Sequence, residues 1–254
     1  MRILMLSPTP PWPLNRGTKI RIYHVLRELS RAGHEITLLA LAHERYGVDD
    51  LDAVRSFCTE LGVVSVKNRS RVRAALRSVL FRKPYRVAKL ESQPFRKAVD
   101  RALGKGFDVL WVHFMETLTY VPQHVPGEKG LMVVLDQHNA DERFWATYAR
   151  QGPPWKRLFA RQNIRRLRRL RESVLRSVDV ILSVSQDDAE FVRATLPNLS
   201  TQVWVAPNGV DVEGLRPAED ANRRNLAILC GAMDVLMNID AAEWFSRSIF
   251  PRLS

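Results

Sequence analysis

The chain has 254 residues, with 39 Lys and Arg against 27 Asp and Glu, a formal charge of +12, and is 46% hydrophobic and 26% charged. That balance excludes a disordered chain, and no apolar run nears the roughly 20 residues of a membrane span. Only Cys58 and Cys230 are present, far apart in apolar patterns, and the apolar stretch after Met1-Arg2 ends at Leu6. Disulfide scaffolds, zinc ribbons, Cys redox pairs and a signal-peptide core are therefore poor readings, and the expectation is a cytoplasmic protein.

In chain order, short β-branched or Leu-rich runs predict strands at Ile3–Leu6, Glu35–Leu41, Val63–Val66, Val109–Val112, Leu131–Leu135, Val180–Val184 and Val203–Ala206. Between them, helical spacing predicts helices near 18–32, 49–61, 69–81, 92–104, 139–150, 156–176 and 186–195. Gly33 supplies a stop for the first, and Ser185-Gln186-Asp187-Asp188 most simply caps the last. Near-continuous apolar strands separated by helices indicate an α/β fold, a doubly wound parallel sheet covered on both faces. The polar stretch 211–225 after Pro207-Asn208-Gly209 reads as a linker. A strand over Leu226–Cys230 and a helix near Asn238–Ser248 then suggest that an incomplete second domain occupies 226–254.

Polar residues gather where such a sheet binds ligands, at the carboxyl ends of its strands. The first strand leads into a Pro-rich loop and then Arg16-Gly17-Thr18, which opens a helix. Its N–H groups suit a diphosphate, although a lone Gly serves equally well in a tight turn. His113 and Glu116 follow the fourth strand, Asp136-Gln137-His138-Asn139 the fifth, and Asn208-Gly209 the seventh. His113 and His138 are of the type that binds a hydroxyl or moves a proton near neutral pH, and both are also compatible with strand-end structure. Asp136 fits an acceptor-side or a structural role, and Asn139 fits either a site or a helix cap. There is no dinucleotide fingerprint, Walker motif, H-E-x-x-H or G-x-S-x-G, so no metal and no bound cofactor is expected.

The charge is concentrated. Residues 67–89 hold nine Lys/Arg and no acid, and residues 156–176 hold nine against Glu172, so the two segments carry +9 and +8 and the rest sums to −5. Val72, Leu76, Val79 and Leu80 line one face of 69–81, and Ile164, Leu167, Leu170 and Val174 one face of 156–176. A basic amphipathic helix can lie on an anionic membrane, or its stripe can simply pack on the sheet while the arginines face water. With no recognised nucleic-acid module, nucleic acid is an unlikely partner.

These landmarks resemble family 4 glycosyltransferases of the GT-B fold, especially bacterial enzymes of exopolysaccharide and cell-envelope pathways. The resemblance rests on Met1 to Leu4, Arg16-Gly17 with Arg21, Arg31 to Thr37, Asp108 to His113, Asp136 to Asn139, Val184 to Asp187 and Ala206 to Asp211. The segments 231–241 and 250–253 are similar to the start of the family's donor domain. The resemblance implies a Rossmann-like acceptor-side domain over 1–210, a linker at 211–225, and the first βα unit of a donor-binding domain at 226–254. It also implies sugar transfer from a nucleotide-sugar donor to a glycan or lipid-linked acceptor, with retention and without a metal. Arg16, Gly17 and Thr18 then adjoin the donor phosphate and sugar, and His113 and His138 the reacting centre. Glu116, Asp136 and Asn139 face the acceptor, and Asn208 and Gly209 form the interdomain hinge. Arg16 stands where the family often has a second glycine. The family's E-x7-E pair and basic diphosphate ligands are not found in 1–254, so the isolated chain is expected to be inactive. The implied location is cytoplasmic, peripheral on the inner face of the cell membrane. The competing reading is a non-catalytic Rossmann-like module that binds an anionic membrane or partner.

Overall fold

Seven strands pair in parallel in the order β3-β2-β1-β4-β5-β6-β7. They are β1 (Arg2–Ser7), β2 (Glu35–Ala42), β3 (Glu60–Ser65), β4 (Val109–His113), β5 (Met132–Gln137), β6 (Val180–Ser183) and β7 (Gln202–Val205). The computed structural model describes residues 1–42, 48–66, 70–122, 125, 130–138, 142, 145–146, 149–150, 153–195, 201–212, 214–216, 227–233 and 236–252. The helix expected near 139–150 falls largely outside these residues.

Strand period explains the two layers. Successive side chains point to opposite faces, so Ile3 and Met5 pack with Ile22, Leu26, Ile36 and Leu38 on one side. Leu4 and Leu6 pack with Phe95, Leu110, Val112, Val133 and Leu135 on the other. The first face is covered by α1 (Gly17–Arg31), with Val54 of α2 (Val48–Arg55) joining the same cluster. On the second face lie α5 (Gln93–Leu103), α6 (Met115–Leu118), α7 (Pro154–Val174) and α8 (Gln186–Thr195). The expected doubly wound parallel sheet is the fold observed.

Local chemistry sets most helix ends. After α1, Gly33 takes φ 79°, a left-handed turn that glycine enters without steric cost, and His34 N–H donates to the Leu29 carbonyl. Ser92 caps α5 by accepting from Phe95 N–H. Ser185 Oγ accepts from Asp188 N–H and donates to the Asp188 carboxylate, so the expected cap of α8 is present.

The structure departs from expectation in three places. Helix α2 stops at Arg55 rather than near 61, and β3 begins at Glu60, because Thr37 to Ala42 of β2 pair with Glu60 to Ser65. Two short helices, α4 (Tyr85–Leu90) and α6, follow α3 (Arg71–Leu80) and β4; they are too short to show a repeating pattern. Residues 227–230 form no strand, since none of the described strands pairs with them. The following helix, α9, spans Leu236–Trp244 and widens into a π turn over Phe245–Ile249, with Ile228 and Trp244 exposed.

Phe95 anchors the second face: its ring is fully buried and meets Tyr120 edge-on at 4.9 Å, while the Tyr120 hydroxyl donates to the Leu90 carbonyl. Phe95→Ala should cost about 3–5 kcal/mol, read as a lower urea midpoint with little change in slope. A loss below about 1 kcal/mol would mean that this junction is not packed as described.

Candidate active site

Strand order reverses between β1 and β4: β2 and β3 continue to one side, and β5, β6 and β7 to the other. A crevice opens outside the carboxyl ends at such a switch point. Arg21 lies one helical turn after Gly17 in α1 and reaches across this edge. Its Nε lies 3.0 and 3.1 Å from the two Asp136 oxygens, and its Nη2 2.8 Å from Oδ1. Its Nη1 donates to the Ala206 carbonyl at 2.9 Å and to Asn208 Oδ1 at 3.1 Å. One guanidinium thus joins α1, the end of β5 and the turn after β7, with its side chain 7% exposed and that of Asp136 0% exposed.

Two histidines complete the cluster. His113 Nδ1 lies 3.3 Å from Asp136 Oδ2 and 3.2 Å from His138 Nε2, which is itself 3.6 Å from the same carboxylate oxygen. Burial by itself would raise the Asp136 pKa, yet bonding to His113, His138 and Arg21 holds the carboxyl well below its ordinary 3.8. Burial pulls His138 below its ordinary 6.5, and its hydrogen bond with Asp136 opposes that without cancelling it. His113 is fully buried, and its Nε2 has no hydrogen-bond partner among the described residues. An orphaned polar atom of this kind costs about 1–3 kcal/mol, so it calls for an explanation beyond packing.

The chain turns abruptly after His113. Phe114 sits at φ 66°, a conformation that costs a non-glycine residue about 1–3 kcal/mol. Its N–H donates to the Asp136 carbonyl, and its ring lies 4.3 Å from that of His138. The Arg86 guanidinium covers the same ring at 4.8 Å, and its Nε is 3.3 Å from Glu116. The expected acceptor-side Glu116 is therefore fully buried in an ion pair behind β4. Asp136 is likewise sealed under Arg21 instead of facing the crevice. Asn139 lies outside the described residues.

Arg16 N-caps α1 from extended backbone without a side-chain cap bond, leaving first-turn N–H groups that have no intrahelical partner. Gly17 is exposed, and a Cβ placed there would meet nothing within 4 Å. Gly17 and Thr18 thus stand at an open helix end, one turn from Arg21. Asn208 belongs to the same assembly through its bond to Arg21, while Gly209 follows it, exposed.

The ring nitrogens of His113 and His138 and a carboxylate oxygen of Asp136 lie within 4.8 Å of one another, a grouping able to hold a cation. Sequence spacing concealed it, because the three come from two strand ends. Both Asp136 oxygens, however, already meet the Arg21 guanidinium, which supplies the positive charge the carboxylate needs. Arg21 was legible only as part of a resemblance; the available signal was a cation on the face of α1 that also buries Ile22 and Leu26.

Removing Arg21 should leave the Asp136 charge uncompensated. Arg21→Gln is expected to cost about 3–5 kcal/mol and to move acid unfolding to higher pH. The sign follows from linkage: a depressed carboxyl pKa stabilises the fold above the unfolded value of 3.8 and is lost as pH falls through the folded value. Unchanged urea and acid midpoints would contradict this account. His138 acts at milder pH, because the unfolded chain protonates near 6.5 while the buried ring resists. Stability should therefore fall as pH drops below about 6.5, and His138→Gln should remove that slope; the same slope in both proteins would assign it elsewhere.

The comparisons agree with this architecture. The family model described as Glycosyltransferase Family 4 matches residues 15–213. The structure is similar to the Candida albicans trehalose-6-phosphate phosphatase N-terminal domain at TM-score 0.50 and 16% identity, covering 84% of this chain and 49% of that one. It is also similar to Medicago truncatula UGT71G1 complexed with UDP-glucose, at TM-score 0.50 and 13% identity, covering 87% and 54% respectively. The chain thus spans about half the length of these solved structures, and at such identities the likeness speaks for the fold, that of a GT-B N-terminal domain. A search of curated proteins finds no matching sequence. With a family match running from the loop before α1 through the Asn208 turn, the chain belongs to glycosyltransferase family 4.

Proposed function

We propose that residues 1–210 form the acceptor-side wall of a retaining sugar transferase that uses a nucleotide-sugar donor and a glycan or lipid-linked acceptor. The observation that carries this reading is the Nε2 of buried His113 at the switch edge, which has no hydrogen-bond partner among the described residues. A purely structural strand-end histidine would be expected to have both nitrogens satisfied. A substrate hydroxyl is the chemistry that completes it, and the Arg21–Asp136 pair beside it holds the rings in place without a mobile counter-ion. His138 keeps a little exposure, which supports a role for it at the reacting hydroxyl with His113 beside it.

The open first turn of α1 at Gly17 suits the donor diphosphate, whose negative charge increases as the sugar leaves. UDP-glucose bound by the Medicago truncatula relative supports a nucleotide sugar as the class of donor. On this reading no metal is needed at the leaving group. The arginine-rich outer face of α7 supports work at an anionic membrane, and with it a lipid-linked acceptor. No helix among the described residues is long and apolar enough to cross a membrane, so attachment would be peripheral.

The test uses an enzyme that carries this wall together with a donor-binding half. His113→Ala and His138→Ala should each lower turnover by about 10²–10⁴-fold while circular dichroism stays unchanged. Gly17→Ala strains nothing in the fold, so it should preserve the urea midpoint and raise the KM for the donor. Near-normal turnover in both histidine variants would return them to strand-end structure.

A further inference from the structure

Helix α3 is built inside out. Its buried residues are small, Ala74 and Ser78, whereas Val72, Leu76 and Leu80 are 68%, 64% and 76% exposed. Val79 and Phe81 are exposed beside them. An amphipathic helix in a monomeric domain normally turns its bulky apolar face to the core, so this one presents outward the side that ought to be covered.

The orientation is fixed by polar contacts, which prevents the helix from rolling inward. Ser78 Oγ donates to the Lys83 carbonyl at 2.8 Å and accepts from Arg166 Nη1 of α7 at 3.0 Å. Arg77 and Lys83 both grip Glu91, at 2.5 and 2.9 Å. The small residues are thus held against the body of the protein.

What covers the exposed face is indicated by its charge. Arg71, Arg73 and Arg82 are exposed around it, and no acid occurs between residues 67 and 89. Helix α7, which meets α3 through Arg166, also begins with exposed Trp155, Lys156 and Leu158. A second copy of the chain would bring two strongly basic faces together. Single-stranded nucleic acid would stack on a row of aromatic platforms, whereas this face is mainly aliphatic, with Val72, Leu76, Val79 and Leu80 against a single Phe81. A bilayer surface offers both requirements at once, anionic headgroups for the arginines and an acyl boundary for the aliphatic side chains.

We propose that α3 is the membrane-docking element of this chain, its Val72-Leu76-Val79-Leu80 face entering the headgroup–acyl boundary of an anionic bilayer while the surrounding arginines hold lipid phosphates. This rests on the membrane location proposed above and adds which face enters and why salt alone does not release it. The experiment is co-sedimentation of the full chain with vesicles of phosphatidylglycerol and phosphatidylcholine, and with phosphatidylcholine alone. Wild type should bind the anionic vesicles and keep a measurable fraction bound at about 1 M salt, where charge attraction is screened beyond about 3 Å. The exposed-site variant Leu76→Ser/Leu80→Ser, folded by circular dichroism, should bind at least about tenfold more weakly and lose the salt-resistant fraction. Arg71→Gln/Arg73→Gln/Arg82→Gln, which leaves the apolar face intact, should lose low-salt affinity and keep that fraction. A serine variant that binds like wild type would overturn α3 as the docking face while leaving the membrane location standing. Wild type that ignores every vesicle would overturn both. So would concentration-dependent dimerisation that the serine substitutions abolish in place of vesicle binding.

Discussion

Everything at the carboxyl edge of this sheet depends on a single buried charge pair. Asp136 is an anion with no exposed surface, and such a group is tolerable only if its counter-charge is equally fixed. Arg21 meets that need through its planar fork, which addresses both carboxylate oxygens while a third nitrogen is left for the 206–208 turn. A lysine would offer one point charge and could not span the same three elements. The histidines then arrange themselves around the remaining carboxylate lone pairs.

Much of the fold was legible because its signals are local. The continuous apolar run Ile3 to Leu6, the Gly33 stop and the Ser185 cap each say where an element lies, begins or ends. The position of β3 was not legible. Val63 to Val66 looks like the strand core, yet register with β2 starts the ladder at Glu60, and pairing between distant segments has no local signature. The strand expected at 226–230 shows the reverse case: the apolar residues 227–230 do not form a strand where no described strand pairs with them.

The site was half legible for the same reason. Strand-end position singled out His113, Asp136 and His138 one at a time, and the structure brings all three together. It did not reveal that Asp136 belongs to Arg21, because the contact joins residues 115 positions apart in sequence. Glu116 and Phe114 show a further limit. The backbone at Phe114 takes a value that few side chains accept, and that reversal carries Glu116 behind the strand toward Arg86. The sequence pattern of α3 gave its amphipathic face correctly and left open which way that face points; the Ser78 contacts decide it.

Arg21's grip on Ala206 and Asn208 has a mechanical meaning. The turn leaving β7 is clamped to the first helix by the side chain that also neutralises Asp136. The backbone that enters residue 209 therefore leaves the sheet from a pinned point, and the pin sits among the ionisable groups of the crevice. A shift that unseats Asn208 would remove one of the contacts that hold the Arg21 fork against Asp136. The position of the 206–208 turn and the charge balance of the crevice are thus tied together by one side chain.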